Sequence, residues 1–228
     1  MDRVYRKRRI VVAFIALIGT ALLLLTQPDL QQTSVSPTPS GTGPAAVALS
    51  QLPVKGRSPK TGYTRAQFGE GWETQQGCDT RNIILHRDLT NVAVDSECRV
   101  VSGTLDDPYT GKLIEFHRGP DTSDLVQIDH VVALSDAWQK GAQQLTFERR
   151  QTLANDPLEL LAVDGAANQQ KSDGDAATWL PPNKAFRCQY VARQITVKQK
   201  YDLWVTQAEK DAMNRVLATC PNQTLPLL

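Results

Sequence analysis

The stretch Ile128-Asp129-His130-Val131-Val132 places a carboxylate and an imidazole side by side within an apolar run. Two later stretches each carry an asparagine near a second apolar run. Asn155-Asp156-Pro157-Leu158 precedes a second apolar run, and Asn168-Gln169-Gln170-Lys171 follows it. The three stretches together combine acidic, basic and amide side chains around what the pattern predicts to be a strand-to-helix turn.

The local pattern predicts the order of elements in this region. Residues 125–132 and 158–163 are short apolar runs of strand length, and Asp164-Gly165 is a turn signal after the second run. Residues 166–173 then begin a short helix. The intervening segment, 134–154, has helical spacing that is broken near Gly141 and stopped by Asn155-Asp156-Pro157. Strand, excursion, strand and helix in this order predict a ββα unit.

The chemistry of these side chains suits the hydrolysis of a phosphodiester. His130 can act as the base that activates water, because the ordinary pKa of imidazole leaves it neutral near pH 7. Asp129 and Asn168 offer hard oxygen ligands of the kind that Mg²⁺ or Mn²⁺ prefers. Neighbouring residues on a regular strand face opposite sides, so Asp129 and His130 can share a site only where the strand ends or bends.

The order and spacing of these stretches resemble the HNH (ββα-metal) endonucleases, in particular secreted actinobacterial proteins related to the C-terminal domain of GmrSD restriction endonucleases. The likeness runs from about Thr61 to Met213 and is concentrated in residues 126–171. It implies that Asp129 and Asn168 hold one divalent metal ion and that the amide of Asn155 braces the loop carrying the base. Asparagine stands at position 168, where the family name implies histidine.

The rest of the domain predicts an α+β fold, with an N-terminal β-hairpin region and C-terminal helices around the ββα-metal core. Residues 77–119 read as β, with runs at Asn82–Leu85, 99–101 and 112–117 and a turn at Asp106–Gly111. Residues 184–204 have helical spacing. Thr206 and Glu209 form a capping box that opens a last helix at 206–219.

The N-terminal 60 residues predict export. Five Lys and Arg among the first nine residues precede the uncharged run Ile10–Leu25, which is the layout of a signal peptide or signal anchor. The spacing favours an uncleaved anchor, because no small-x-small site directly follows Leu25. Residues 26–60 are rich in Pro, Ser and Thr and predict a disordered linker, so the folded domain is expected at residues 61–228. The protein is then secreted or held at the outer face of the membrane.

The cysteines agree with an oxidising compartment. All four follow residue 60, and no two form a C-x-x-C motif that would indicate a zinc knuckle. Of the three possible pairings, Cys78–Cys98 and Cys188–Cys220 are preferred, since each closes a short loop within one structural unit.

Overall charge does not favour a nucleic-acid binder. Eight of the 25 Lys and Arg and two of the 24 Asp and Glu precede residue 61, which leaves residues 61–228 with 17 basic and 22 acidic side chains and a net charge of −5. Phosphate must therefore be attracted locally. Lys171, on the same helix face as Asn168, and the surface cations Lys184, Arg187 and Arg193 are the candidates, although a solvated role is an equal alternative for each.

These observations predict a metal-dependent endonuclease that acts on DNA or RNA outside the cytoplasm. An isolated Asp-His pair is more often a capped strand end than a catalytic pair, and Asn155 and Asn168 alone could be turn and helix-start amides. The prediction therefore depends on the joint pattern. The alternative is a catalytically inactive nucleic-acid-binding or cell-surface module on the same scaffold.

Overall fold

The computed structural model describes residues 43–120 and 122–226, which form seven α-helices and seven short strands. The helices are α1 (Pro44–Gln51), α2 (Thr80–Asp88), α3 (Leu134–Gln139), α4 (Phe147–Ala154), α5 (Gly165–Lys171), α6 (Arg187–Lys200) and α7 (Gln207–Leu217). The strands are β1 (Thr74–Gln75), β2 (Cys78–Asp79), β3 (Leu89–Val94), β4 (Val100–Asp106), β5 (Leu113–His117), β6 (Val126–His130) and β7 (Leu160–Asp164). The predicted α+β class is confirmed.

Strands β6 and β7 pair antiparallel between two hydrophobic cores, with Asp129 opposite Leu161 and His130 opposite Leu160. Leu161 and Val163 on one face belong to the larger core, which includes side chains of α1, α3, α6 and α7. Ile128, Leu160 and Ala162 on the other face join the smaller core, with side chains of α2 and β3–β5. Burial on both faces explains why β7 is a continuous apolar run rather than an alternating one.

Helix α5 follows β7 directly and packs on both strands of the pair. The Asp164 carboxylate caps it by accepting a hydrogen bond from the amide of Ala167 at 2.7 Å. Gly165 is required at its first position, because a Cβ there would lie 2.0 Å from the carbonyl oxygen of Asp124. The predicted order of strand, excursion, strand and helix is therefore present, and Gly141, with φ of 126°, interrupts the excursion as predicted.

The three-stranded sheet β3–β4–β5 is antiparallel, and the predicted turn at Asp106–Gly111 joins β4 to β5. The prediction of a strand at Asn82–Leu85 is wrong, because these residues lie in α2. The Asp79 carboxylate caps this helix by accepting from the amide of Asn82 at 2.7 Å. A run of four residues is too short to distinguish the two periods, and the cap decides it.

The first part of the chain that is described belongs to the folded domain. The prediction of a disordered linker over residues 26–60 is wrong for α1, whose Ala45, Ala46, Ala48 and Leu49 are buried against α6 and α7. Arg57 is also held, by Asp136 at 2.8 Å and Asp175 at 2.7 Å. Alanine and leucine spaced on one helical face supply a packing surface that composition alone does not reveal.

The predicted signal segment, 1–25, and residues 26–42 of the predicted linker lie outside the described residues. Within residues 43–120 and 122–226, no helix has the length and apolar character needed to span a bilayer.

Both preferred disulfides are present. Cys78–Cys98 joins β2 to the turn between β3 and β4, and Cys188–Cys220 joins the start of α6 to the chain beyond α7. The predicted capping box at Thr206 and Glu209 is also confirmed. The helix predicted at 184–204 is present as a 3-10 turn, Lys184–Phe186, followed by α6.

We expect Leu49→Ala to destabilise the domain by about 2–5 kcal/mol, since it removes a side chain that is 0% exposed and leaves a cavity. Val47, on the same helix but 50% exposed, is the matched control, and Val47→Ala should stay within about 0.5 kcal/mol of wild type. Urea unfolding followed by circular dichroism measures both. Equal, small effects would mean that α1 is not part of the cooperative unit.

Candidate active site

A cleft of about 420 Å³ lies beside β6 and brings together three of the predicted site residues. Asp129, His130 and Asn168 all line it, although they come from β6 and from α5. Arg65, from a 3-10 turn at Arg65–Phe68, lines the same cleft. The carboxylate, imidazole and amide that were predicted to act together thus face one open space.

Asp129 and His130 are neighbours on β6, so their side chains lie on opposite faces of the strand. Asp129 points to the face covered by α5, where it meets Lys171, while His130 is the last residue of the strand and meets Trp72 and Ala154. Both side chains are largely buried, and each reaches the cleft. The two side chains lie on opposite faces of β6, and both residues border the cleft at the end of the strand.

Asp129 is held by two donors. Its Oδ1 accepts from Nζ of Lys171 at 2.9 Å, and its Oδ2 accepts from the hydroxyl of Tyr109 at 2.5 Å. The same Lys171 ammonium donates to the carbonyl oxygen of His130 at 2.8 Å. A buried carboxylate is stable only when paired, and Lys171 and Tyr109 supply its partners.

Tyr109 reaches Asp129 from the turn between β4 and β5. The carboxylate of Asp107 holds that turn, accepting from the amide of Thr110 at 2.7 Å and from the amide of Asp164 at 2.9 Å. Burial and the nearby charge of Asp129 raise the pKa of the Tyr109 phenol well above its ordinary value. The phenol therefore remains protonated and acts as the donor to Asp129.

His130 is fixed by a hydrogen bond and by stacking. Its Nε2 lies 2.9 Å from the carbonyl oxygen of Ala154, which can only accept, so Nε2 carries the proton and Nδ1 keeps its lone pair. The indole of Trp72 stacks on the imidazole, with ring centroids 5.6 Å apart and planes 9° apart. Burial, which outweighs the bond to Ala154, and the charges of Arg65 and Lys171 lower the pKa of His130 from 6.5 to about 3. The ring is therefore neutral at physiological pH.

Asn155 braces the surroundings of His130 without touching it. Its Oδ1 accepts from the amide of Glu73 at 2.9 Å, and its Nδ2 donates to the carbonyl oxygen of Gln151 at 3.1 Å. Glu73 follows Trp72, so this bond ties the stacking indole to the end of α4. The family resemblance implied that Asn155 braces the loop carrying the base; its contacts are instead with the loop of Trp72 and with α4, and its role in catalysis stays a prediction.

Asn168 pairs with a residue that the sequence reasoning missed. Its Nδ2 donates to Oε1 of Gln127 at 2.9 Å, and its side-chain oxygen, Oδ1, accepts no hydrogen bond from any described residue. Gln127 lies two residues before Asp129 on the same face of β6. Asp129, Gln127 and Asn168 therefore offer one carboxylate and two amide groups on one side of the cleft.

The donor set fits a hard divalent cation held by few protein ligands. Among residues 43–120 and 122–226, no three His, Cys, Asp or Glu side chains converge as a complete metal cage. A carboxylate has about four acceptor positions, and Lys171 and Tyr109 use two of those on Asp129. Mg²⁺ is commonly held by one or two carboxylates, with water and substrate phosphate completing its shell. Asp129 and the free amide oxygen of Asn168 are the residues that would hold it.

The structure contradicts two of the predicted phosphate contacts. Lys171 is buried, with a side chain that is 0% exposed, and its ammonium already donates hydrogen bonds to Asp129 and to the carbonyl oxygen of His130. Arg193 is half-buried and donates to main-chain carbonyls, among them that of Leu158 at 3.0 Å. Both cations bind oxygen atoms of the protein itself. The sequence did not indicate this, because their partners are distant in the chain.

Lys184 and Arg187 lie apart from the cleft. They line a separate groove of about 380 Å³ together with Arg215, and no acidic side chain lines it. The structure therefore does not bring these two cations to Asp129 and His130, and their contact with nucleic acid stays a prediction.

Four residues of the site were missed by sequence reasoning: Arg65, Trp72, Tyr109 and Gln127. Gln127 had a detectable signal, since it lies two residues from Asp129 on a predicted strand. The other three lie in turns and loops far from the motif, where no spacing rule connects them to it.

Comparison with known proteins places the chain in a family. Residues 79–216 match the family described as GmrSD restriction endonucleases, C-terminal domain, and the chain belongs to this family. A protein of Arthroderma benhamiae described as an uncharacterized secreted protein is 40% identical over 213 residues, which cover 91% of this chain and 98% of that relative. No solved structure matches the chain. The predicted family is thus confirmed, and the narrower likeness to actinobacterial members stays a prediction.

We expect Lys171→Met to destabilise the domain by about 3–5 kcal/mol, because it leaves Asp129 charged and buried with no cation. Lys60 forms a similar pair with Asp173 at 2.8 Å, but both side chains of that pair are about half-exposed. Lys60→Met is therefore the control and should change the stability little. Chemical unfolding at pH 7 compares the two, and similar losses would show that the Lys171 pair is not special.

The low pKa of His130 predicts an acid-sensitive stability. Between pH 6.5 and about 3 the unfolded chain binds a proton at this residue and the folded domain does not, so the stability falls as the pH falls. We expect wild type to lose about 2–3 kcal/mol more than His130→Gln between pH 7 and pH 4.5. Exposed His117 provides the control variant, His117→Gln. If the stability of wild type and of His130→Gln changed equally with pH, the low pKa of His130 would be contradicted.

Proposed function

We propose that this protein is an extracellular endonuclease that hydrolyses phosphodiester bonds of DNA or RNA with one divalent metal ion, Mg²⁺ or Mn²⁺. The observation that carries the proposal is the restrained His130, which lines the same cleft as Asp129 and Asn168 and whose Nε2 is held by the carbonyl oxygen of Ala154. Membership of the GmrSD C-terminal family supports a nuclease activity. Two disulfides and the secreted relative support a location outside the cytoplasm.

In the proposed reaction, Nδ1 of His130 accepts a proton from the attacking water. The bond from Nε2 to Ala154 keeps the ring in the required tautomer, and the stack on Trp72 keeps its plane fixed. When bound at Asp129 and Asn168, a divalent ion supplies positive charge that offsets the negative charge developing on the phosphate. Tyr109 and Lys171 hold the Asp129 carboxylate in place.

The low pKa of His130 is compatible with this role. Its value of about 3 belongs to the free protein, where burial and two cations oppose the protonated ring. An anionic phosphodiester in the cleft adds negative charge beside the imidazole and so raises the pKa, since an opposite charge favours the protonated form. The imidazole is therefore neutral before substrate binds, and the phosphate charge acts against the lowering of its pKa by Arg65 and Lys171.

The groove formed by Lys184, Arg187 and Arg215 is proposed to contact the nucleic-acid backbone beyond the scissile bond. Its three cations have no acidic neighbour in the lining, which favours a polyanion. Attachment to the membrane would depend on residues 10–25 and is part of the proposal only if that segment is retained.

We expect purified protein to cleave plasmid DNA in Mg²⁺, and His130→Ala to lower the rate by at least about 10²-fold, since general-base catalysis contributes that much. His117→Ala, at the exposed histidine of β5, should cleave like wild type. EDTA should silence wild type. Full cleavage in EDTA, or a normal rate in His130→Ala, would remove the mechanism.

Metal substitution separates the two proposed ligands. Asn168→Ala removes one neutral oxygen and Asp129→Asn removes the formal charge, and we expect both to lower the Mg²⁺-dependent rate. Excess Mn²⁺ should restore Asn168→Ala more than Asp129→Asn, because Mn²⁺ binds a given set of ligands more tightly. Rates in a series of metal concentrations measure this. Equal rescue of both variants would place the metal elsewhere.

A catalytically inactive nucleic-acid-binding module remains the second candidate. The observation in its favour is that Lys171 already neutralises Asp129. Binding to labelled DNA or RNA without cleavage in any of the metals would support it against the nuclease.

A further inference from the structure

Arg65 is a charged side chain of the cleft that has no partner among the described residues. The two carboxylates in the lining are neutralised: Asp129 pairs with Lys171, and Asp173 pairs with Lys60 at 2.8 Å. The guanidinium of Arg65 forms no salt bridge or hydrogen bond with any described residue, and the side chain is exposed. An arginine with no internal partner in such a lining offers its donors to a ligand.

The position of Arg65 relates it to His130. Besides the main cleft, it lines a smaller hollow of about 150 Å³ together with Trp72 and His130, so Arg65 and His130 both line the same two spaces. A ligand atom between the base and the metal-binding side chains would therefore lie within the field of this cation.

The backbone that carries Arg65 is fixed although the side chain is free. Phe68, at the end of the same 3-10 turn, is buried and packs edge-on against Trp138, with ring centroids 6.4 Å apart. Arg150 of α4 donates to the carbonyl oxygen of Gln67 at 2.8 Å. The turn is thus anchored to α3 and α4, and ordering the guanidinium on a ligand costs side-chain entropy alone.

We infer that Arg65 is a catalytic residue that binds the nonbridging oxygens of the scissile phosphodiester. The inference rests on the proposed nuclease function and extends it. A guanidinium donates two parallel hydrogen bonds to a phosphate, and such a donor gains strength as negative charge develops on the phosphate oxygens. Arg65 lies outside residues 79–216, so the family match does not supply this residue. The segment before the matched domain would complete the site.

The test compares Arg65→Ala, Arg65→Lys and Arg99→Ala on a fluorescent oligonucleotide in Mg²⁺. Arg99 is an exposed arginine that pairs with Asp95 at 2.8 Å on the turn after β3, and its variant is the matched control. We expect Arg65→Ala to lower kcat/KM by about 10²–10³-fold, Arg65→Lys by less, and Arg99→Ala by little. A lysine keeps the charge but loses the paired geometry.

A second measurement detects the contact itself. Replacing one nonbridging oxygen of the scissile phosphate by sulphur weakens a hydrogen bond to that position, so one phosphorothioate diastereomer should react more slowly with wild type. Arg65→Ala should reduce that preference, whereas Arg99→Ala should retain it. If Arg65→Ala melts at a lower temperature than wild type, Arg65→Gln replaces it in both measurements.

The outcomes separate the two proposals. No cleavage by wild type in any of the metals would end the proposed function and this inference with it. Cleavage by wild type, with Arg65→Ala within about threefold of its kcat/KM and unchanged in its diastereomer preference, would overturn the role of Arg65 and leave the nuclease function standing. A large loss in Arg65→Ala together with a lost preference would support both.

Discussion

The candidate site depends on the buried ion pair between Lys171 and Asp129. Lys171 ends α5 and Asp129 is the second-last residue of β6, so this one contact fixes the helix to the strand across the whole excursion between β6 and β7. The same ammonium holds the carbonyl oxygen of His130. Neither charge is stable there alone, because burial without a partner would cost several kcal/mol. The carboxylate proposed to hold a metal ion is therefore also one on which the docking of α5 depends.

A second buried ionic network withdraws charges of both signs from the surface of the domain. Lys140 lies within 2.8 Å of Asp136 and Asp175 and within 2.6 Å of Glu209, and Lys198 pairs with Glu209 at 3.0 Å. These carboxylates are sealed in the interior and neutralised there, so they contribute little to the field that a phosphate meets outside. The net charge of −5 counted against nucleic-acid binding. The electrostatic field that a phosphate meets in the cleft, however, depends on which charges there remain unpaired.

Sequence reasoning located the central residues because their signal is local. Asp129 and His130 lie at the end of β6 and Asn168 lies in α5, and the order of these short elements can be predicted from apolar runs and turn residues. It failed where a residue distant in the sequence determines the structure of a segment or the contacts of a side chain. Asn82–Leu85 became helical through the cap of Asp79, the alanines of α1 needed α6 and α7 to cover them, and Lys171 and Arg193 turned inward to oxygens far along the chain. A lysine that binds phosphate and one that neutralises a carboxylate look the same in a sequence.

The restraint on His130 shows how the core prepares the chemistry of the cleft. The carbonyl of Ala154 is the last of α4, and Asn155, which follows it, holds Glu73 and with it the loop of Trp72. One helix end therefore fixes the tautomer of the imidazole through Ala154 and the plane of the ring through Trp72. Both restraints are present in the free protein, so the proposed base would lose little orientational entropy in the reaction. The residues from 65 to 73 are thus as much a part of the site as β6 itself, although no motif marks them.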